Sequence, residues 1–426
     1  MQGVTPTSAT VKRTYYVLLL GNTLAASLIW GINTIFLLDA GLSNLEAFAA
    51  NAFFTAGMVL FEVPTGVVAD VQGRRASFLL GTLTLAASTG LYVALWRLDA
   101  PFWQWAIVSV LLGLGFTFFS GATEAWLVDA LRATGYDGSL EPVFGRAQVI
   151  TAAATLGGSA GGGFLAQATN LGVPFVVRAV VLLLMFMVAF VLMRDIGFTP
   201  SRQGGLVAEI RAIVRTSLEF GWRVPAVRSV MLGGAFTGGV AIYAFYALQP
   251  YLLDLWGDDD AYGIAGLAAA ILSGAQIAGG MLAPRLRRLF SRRTSALLLA
   301  EAVAAGSVLL IGIVTDFYGV LALTVVWGLT FAAALPVRQA YLNGLIPSRT
   351  RATILSFDSL VASSGGVVAQ PALGRAADAW GYPASYVLSS ALSALALPFL
   401  ARARAQNAPA DRDLGAVPPA ASKLEP

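Results

Sequence analysis

The sequence predicts an all-α integral membrane protein with about twelve membrane-spanning helices in two pseudo-symmetric halves of six. Charged residues make up only 12% of its 426 residues, whereas soluble domains normally carry about 25%. Hydrophobic residues make up 57%, and the mean hydropathy is +0.74. Apolar stretches of about 20 residues, long enough to cross a ~30 Å hydrocarbon core, recur along the chain. Such a surface suits a bilayer rather than water.

The longest polar gap separates two sets of six apolar runs. We therefore predict an N-terminal half over residues 1–193, a cytoplasmic linker over 194–225, a C-terminal half over 226–404 and a disordered cytoplasmic tail over 405–426. Apolar residues within 206–218 share one helical face, which is typical of an amphipathic helix on a membrane surface, the alternative being a solvated linker helix. The predicted spans are 15–38, 46–69, 76–96, 102–129, 144–168, 173–193, 226–253, 261–283, 294–314, 317–343, 352–376 and 383–401.

Basic residues are concentrated on one side of the predicted spans. With both termini in the cytoplasm, 23 of the 27 Lys and Arg residues lie on the cytoplasmic side, and the loop 254–260 opposite carries four acids and no base. By the positive-inside rule this bias predicts the orientation, with both termini in the cytoplasm. We expect a multi-pass protein of a bacterial-type inner (plasma) membrane. Because the basic residues are dispersed between spans, the net charge of +4 does not indicate nucleic acid as a partner. We expect a monomer surrounded by the lipid bilayer.

The chain contains no cysteine and no histidine. Disulfides, iron–sulfur clusters and thiol catalysis are therefore excluded, and the commonest general base and metal ligand are missing. No phosphate-binding Gly-Lys-Ser/Thr loop is present, so nothing indicates that ATP drives the protein. We expect no enzyme activity, no catalytic residues, no cofactor and no metal site.

The most specific motif lies between the second and third spans, where residues 66–75 read Gly-Val-Val-Ala-Asp-Val-Gln-Gly-Arg-Arg. It resembles the signature Gly-x-Leu-Ala-Asp-Arg-x-Gly-Arg-Arg of the major facilitator superfamily. The resemblance implies that Asp70 lies against the N-terminus of the eleventh span, near Ala352, and that Arg74 pairs with Asp129. Such an inner latch would hold an outward-open state. The predicted gate and signature residues are Gly66, Asp70, Gly73, Arg74, Arg75, Asp129 and Arg338.

The two halves also resemble each other in parallel. Ala-Trp-Leu at 125–127 precedes Gly-Arg-Ala at 145–147, and Ala-Tyr-Leu at 340–342 precedes Thr-Arg-Ala at 350–352. Two six-span halves in the same orientation are typical of transporters whose binding site lies between the halves.

Within the superfamily, the chain resembles the drug:proton antiporters, since its fifth span carries a glycine-rich stretch at 157–163. The resemblance implies secondary active transport, with proton-coupled export of amphipathic or drug-like small molecules by alternating access. Two alternatives stay open. One is a facilitator or symporter of a specific polar metabolite, and the other is a lysolipid flippase on the same fold.

Ionisable side chains inside spans cost roughly 2.5–3.5 kcal/mol or more at the bilayer centre, so each suggests a function. Glu62 and Glu124 lie at matching depth in the cytoplasmic third of the first half, and we predict that they carry the coupled proton. A cationic substrate would compete with that proton for the same carboxylate. Asp39 at the outer rim and Asp358 are further coupling candidates. For Arg338 and Asp358 we favour a structural ion pair or a gate.

Two other charged residues occur within spans. Glu301 lies on a span that the fold would place at the periphery, so packing is its expected role. For Arg178 we expect snorkelling of the side chain to the outer rim, with anion binding as the alternative.

Polar and aromatic residues at helical spacing on the central spans predict a substrate cavity that is aromatic and sparsely charged. Lipid-facing or interhelical packing is the alternative for each of them. The cavity candidates are Trp30, Asn33, Thr34, Asn51, Phe54, Met58, Tyr243, Tyr246, Gln249, Gln276 and Trp327.

Overall fold

The computed structural model describes residues 7–200, 215, 222–347 and 350–412, apart from the side chains of 352 and 353. Over these residues the regular structure is helical, with no β-strand. The α-helices are α1 (Ser8–Ser27), α2 (Asn33–Asp39), α3 (Asn44–Gln72), α4 (Arg74–Arg97), α5 (Phe102–Thr117), α6 (Ala122–Ala133), α7 (Glu141–Ala168), α8 (Gly172–Leu192), α9 (Pro225–Trp256), α10 (Tyr262–Arg288), α11 (Arg293–Ile311), α12 (Phe317–Leu345), α13 (Arg351–Ala394) and α14 (Ala396–Ala405).

Within the described ranges, ten helical segments are long and apolar enough to cross a membrane. One of them, Ile354–Ala405, has 52 residues, about 78 Å at helical rise, and so holds two crossings. Its division lies at Gly381, whose φ of +80° is a conformation that side-chain-bearing residues rarely adopt. Because α1 and α2 together form one more crossing, the twelve predicted spans in two sets of six are confirmed.

The first span is a broken helix rather than the continuous one predicted over 15–38. Residues 28–32, between α1 and α2, form a series of turns. At this break Gly31 meets Gly266 of α10 so closely that a Cβ on Gly31 would lie 2.6 Å from the Gly266 Cα. The fourth span is broken as well, at residues 118–121 between α5 and α6, where Gly121 has a φ of +66°.

The outer surface of the bundle is apolar, as a lipid environment requires. On α8, exposed side chains recur at helical spacing, with Val180, Leu184, Met187 and Val191 each at least 50% exposed. These side chains form one face of the helix. The protein is therefore a multi-pass membrane protein with several strongly apolar helices.

The two ends of the bundle differ in charge and in packing. We call the end with the loop at residue 73 the basic end, and the end with the loop at 257–261 the acidic end. Near the acidic end the cores cross between the halves: Leu253 and Ala265 join a first-half cluster, and Phe48 joins a second-half cluster. Near the basic end, the two clusters of described residues each belong to one half.

Hydrogen bonds also join the halves toward the acidic end. Asp378 of α13 accepts bonds from the backbone N–H groups of Asn44 and Leu45, both at 2.9 Å, and so caps the first turn of α3. The Tyr382 hydroxyl donates to the Asn44 side chain at 2.5 Å. The backbone N–H of Gly263 donates to Gln167 at 2.9 Å. The acidic end is therefore sealed, and the halves separate toward the basic end.

An acid just after the last span of each half caps the start of its third span. Asp195 accepts the Arg75 N–H at 2.9 Å at the start of α4, and Asp411 accepts the Thr294 N–H at 2.7 Å at the start of α11. Asp411 is only 1% exposed and belongs to a 3-10 turn at Pro409–Asp411. The tail predicted to be disordered from residue 405 is therefore ordered through 412, whereas 413–426 and nearly all of the predicted linker helix lie outside the described residues.

Candidate functional site

Three adjoining cavities of about 890, 370 and 390 Å³ lie between the halves, and together we call them the central cavity. Trp30 lines the first two, and Asn51, Phe54 and Tyr246 line the second and third. The largest cavity extends to Val149 and Met281, which are 69% and 72% exposed and lie on the basic-end portions of α7 and α10. The central cavity is thus open toward the basic end and closed toward the acidic end.

Eight of the predicted cavity residues line the central cavity, and they come from spans of both halves. The first and second spans contribute five of them, so the break in the first span and the helix α3 form one wall. The eight are Trp30, Asn33, Asn51, Phe54, Met58, Tyr246, Gln276 and Trp327.

The other three candidates, Thr34, Tyr243 and Gln249, are buried outside these cavities. Gln249 is 3% exposed; it donates to the Trp30 carbonyl at 2.6 Å and accepts the Thr34 N–H at 2.8 Å. It therefore supplies partners for the backbone that the break in the first span leaves unpaired. Tyr243 is fully buried and donates to Ser385 at 2.6 Å.

Glu62 and Glu124, the two acids predicted to carry the coupled proton, lie beyond the cavity lining, toward the basic end. Glu62 follows Met58 by one turn of α3 and accepts a 2.6 Å hydrogen bond from the Ser120 hydroxyl, in the break of the fourth span. Glu124 lies in the first turn of α6, exposed and close enough to Tyr15 of the first span to interact with it electrostatically. Asp39 is at the opposite, acidic end, where it accepts a 2.8 Å bond from the Trp96 indole.

Arg338 and Asp358 form a bidentate ion pair between α12 and α13, with N–O distances of 2.5 and 2.6 Å. The Arg338 guanidinium also donates to the Val230 carbonyl on α9, at 3.3 Å. Because all three helices belong to the second half, the pair joins the basic-end portions of helices within one half.

The arginines of the signature loop contact partners in their own half. Arg74 contacts Asp70 at 2.6 Å, one turn away, and among the described residues no ion pair joins Arg74 to Asp129. Arg75 donates to the Phe190 carbonyl at 2.6 Å. The expected Arg74–Asp129 pair is therefore not formed, and the structure is open at the end that this latch would close.

Arg178 does not snorkel to the rim as expected. It is 3% exposed and lines the 370 Å³ cavity together with Tyr92, Phe116 and Tyr246. Its guanidinium carbon lies 5.8 Å from the centre of the Phe116 ring. Snorkelling was the wrong interpretation because α8 turns this side chain toward the first half's interior, a rotation that hydropathy does not encode.

Several lining residues were not predicted. Phe331 lies one turn beyond Trp327, so helical spacing from a predicted residue could have identified it. Phe245 is next to Tyr246, and adjacent residues on a helix point in different directions, so no such spacing indicated it. Tyr92 and Phe116 belong to the third and fourth spans, where no polar pattern distinguishes them from packing residues.

Two halves of six spans around a cavity that is sealed at one end define a membrane transporter. The sequence matches the family model described as Major Facilitator Superfamily over residues 15–289 and 259–425. The chain belongs to this superfamily and is a transporter, not an enzyme. No curated protein sequence matches the chain.

Solved transporters share this fold at low sequence identity. A crystal structure of the nucleoside transporter NupG has a TM-score of 0.73 at 10% identity, over 92% of this chain and 98% of that one. A bacterial homologue of the human lysosomal transporter Spinster, in an inward-facing and unoccupied conformation, has a TM-score of 0.69 at 16% identity, over 94% and 98%. A D-xylose–proton symporter has 0.65 at 18%, over 92% and 96%.

Proposed function

We propose that this transporter exports amphipathic small molecules in exchange for protons, by alternating access of the central cavity. The observation that carries the proposal is the asymmetry of that cavity, which is sealed by hydrogen bonds at the acidic end and open at the basic end. With the predicted orientation, the basic end faces the cytoplasm of a bacterial-type inner membrane. The state described here would then load substrate from the inside, as an exporter requires.

The walls of the central cavity favour an amphipathic substrate. Its compartments of about 370 to 890 Å³ are in the size range of small-molecule sites. Trp30, Phe54, Tyr246 and Trp327 supply aromatic surface, and Asn51 and Gln276 supply a few polar groups. Such a lining binds an apolar body through contact area and orients it through few hydrogen bonds.

Proton exchange is assigned to Glu62 and Glu124. Glu62 is one turn beyond the cavity residue Met58, and its bond to Ser120 ties it to the break that precedes α6, where Glu124 lies. Rearrangement of this break would change the surroundings of both carboxyl groups together. Protonation on one side of the membrane and release on the other could then accompany each reorientation.

The test is substrate flux in proteoliposomes with an imposed pH gradient. Ethidium and carboxyfluorescein serve as cationic and anionic amphipathic probes. Glu62→Gln and Glu124→Gln should each abolish gradient-driven flux while leaving flux down a substrate gradient. Asp137→Asn, an exposed acid in the loop between α6 and α7, is the matched control and should behave as wild type. Wild-type gradient-driven flux and pH profile in both Glu variants would refute the coupling assignment.

A lysolipid is the second candidate substrate, and one observation favours it. The largest cavity is bounded by Val149, Ile277 and Met281, which are apolar and between 39% and 72% exposed. An acyl chain could enter such a cavity from the side. Lysophosphatidylglycerol that competes for probe flux, and that is itself moved across the bilayer, would favour this candidate.

A further inference from the structure

Arg178 is a buried cation that no side chain of the described protein neutralises. It lies six residues into α8 from the acidic end and is 3% exposed. The structure gives it no hydrogen bond or salt bridge among the described residues, and its buried Nε atom has no acceptor. The ionisable groups near enough to interact with it are the Tyr92 and Tyr246 phenols, which are neutral at physiological pH.

An unpaired guanidinium is costly in this position. Arginine stays protonated in proteins, and a charge within a membrane span costs roughly 2.5–3.5 kcal/mol or more. In the open state, water in the 370 Å³ cavity can solvate the group. Closure of the basic end would remove that water and leave the charge without a counter-ion.

A second buried donor lines the same cavity. The Asn51 carbonyl oxygen accepts a 3.0 Å hydrogen bond from Asn33, so its amide nitrogen faces elsewhere, and that nitrogen has no acceptor. Asn51 is 7% exposed and, like Arg178, lines the 370 Å³ cavity. Once closure removes water from the cavity, these two donors need a ligand oxygen as acceptor, and the charge of Arg178 favours a negative one.

We propose that Arg178 and Asn51 bind the anionic group of the transported molecule, so that the substrate is an organic acid with an apolar body. The acid group lies at the closed end of the central cavity, and the apolar part extends along Phe54, Met58 and Phe116. This inference rests on the proposed function, since it takes the central cavity as the substrate site. The positive charge of Arg178 would exclude a cationic group from the closed end of the cavity. That end is separate from Glu62 and Glu124, which lie toward the open, basic end.

The arrangement gives a physical reason for coupling between binding and closure. Without an anion, closing the cavity desolvates Arg178. With one, the charge is neutralised by a charge-assisted hydrogen bond before water leaves. The bound acid therefore lowers the free energy of the closed state relative to the open one.

The experiment compares three probes that share a skeleton and differ in charge: 4-phenylbutyrate, 4-phenylbutyramide and 4-phenylbutylamine. Binding to the purified full-length protein is followed by thermal unfolding and by tryptophan fluorescence, since Trp30 and Trp327 line the cavity. Wild type should bind the carboxylate about tenfold more tightly than the amide, as expected for a hydrogen bond to a charged group. The amine should bind most weakly.

Arg178→Met should bind carboxylate and amide equally, and its ligand-free melting temperature should rise because an uncompensated charge is gone. Arg178→Lys keeps the charge and should keep part of the preference for carboxylate over amide. If the Met variant does not fold, this variant still tests whether the charge at residue 178 sets that preference. Arg375→Met removes an exposed arginine near the acidic end of the eleventh span and should match wild type.

Equal binding of carboxylate and amide by wild type, an unchanged preference in Arg178→Met, or no binding of any probe would overturn the anion assignment. Proton-driven flux and its dependence on Glu62 and Glu124 are measured separately. A failure of this inference is therefore distinguishable from a failure of the proposed function.

Discussion

The side chain of Gln249 donates a 2.6 Å hydrogen bond to the backbone carbonyl of Trp30, across the boundary between the two halves. The same side chain accepts the Thr34 N–H at 2.8 Å, so one amide from the seventh span completes the broken helix of the first. Trp30 in turn lines two compartments of the central cavity. The contact therefore fixes the position of a cavity wall as well as the sealed end.

Gln249→Leu should destabilise this state because it leaves the Trp30 carbonyl and the Thr34 N–H buried without partners. Each unpaired group costs about 1–3 kcal/mol, so the melting temperature should fall by several degrees. The matched control is Gln276→Leu, which makes the same change at a residue that faces the cavity. Equal melting temperatures for the two variants would contradict the role given to Gln249.

Asp378→Ala should open the acidic end. The change removes a helix cap that joins the halves, which is typically worth ~0.5–2 kcal/mol. The ratio of sealed to open molecules at that end should therefore fall several-fold. Because the chain has no cysteine, spin labels at Leu98→Cys and Tyr318→Cys can report the distance between the halves.

Asp316→Ala is the control for this experiment. Asp316 caps α12 through a 2.8 Å bond to the Gly319 N–H, within one half. Its loss should reduce thermal stability and leave the distance distribution unchanged. A shift of equal size in both variants would mean that Asp378 contributes only local stability.

Arg74→Ala should favour the state that is open at the basic end. The Arg74–Asp70 contact seen here is partly exposed, so it contributes only about 0–1 kcal/mol. The proposed latch involving Asp129 would form only on closure. Labels at Val149→Cys and Met281→Cys, on either side of the opening, should report longer distances and transport should weaken.

Arg75→Ala provides the comparison, because Arg75 binds the Phe190 carbonyl inside its own half. It should cost stability without changing the distances. A wild-type distance distribution and intact transport in Arg74→Ala would rule out the latch.

The predicted orientation places the acidic end outside the cell. A cysteine at Asp259 should react with an impermeant maleimide in intact cells, and one at Asp137 should react only in inside-out vesicles. Labelling of the Asp259 cysteine from the cytoplasmic side alone would refute the orientation and, with it, the inward loading proposed here.

The sequence predicted the features that depend on composition and local pattern. The number of spans follows from apolar length, and eight cavity residues follow from polar and aromatic spacing on the central spans. The burial of Arg178 could not be predicted, since hydropathy gives the depth of a residue and not the rotation of its helix. The role of Gln249 could not be predicted for a related reason. Gln249 bonds the backbone at the break in the first span, and that break occurs where Gly31 packs against another span.

The Arg74–Asp129 pair stays a prediction. The signature motif predicts contacts of the conformation that is closed at the basic end, whereas this structure has the conformation that is open there. The cap by Asp411 was missed because the composition of residues 405–426 resembles a disordered tail, and a single buried acid leaves little trace in composition.

The glycine contact between the halves lies close to the sealed end and would act as a pivot for motion between them. A Cβ on Gly31 would lie 2.6 Å from the Gly266 Cα, and one on Gly163 would lie 2.8 Å from it, so three spans meet there through main-chain atoms. From Gly266 to the basic end of α10 is ~33 Å at helical rise. A rotation of one degree about this contact displaces the far end by about 0.6 Å over that length. With these glycines as the pivot, a small rotation would change the width of the cavity opening at the basic end far more than it would disturb the sealed acidic end.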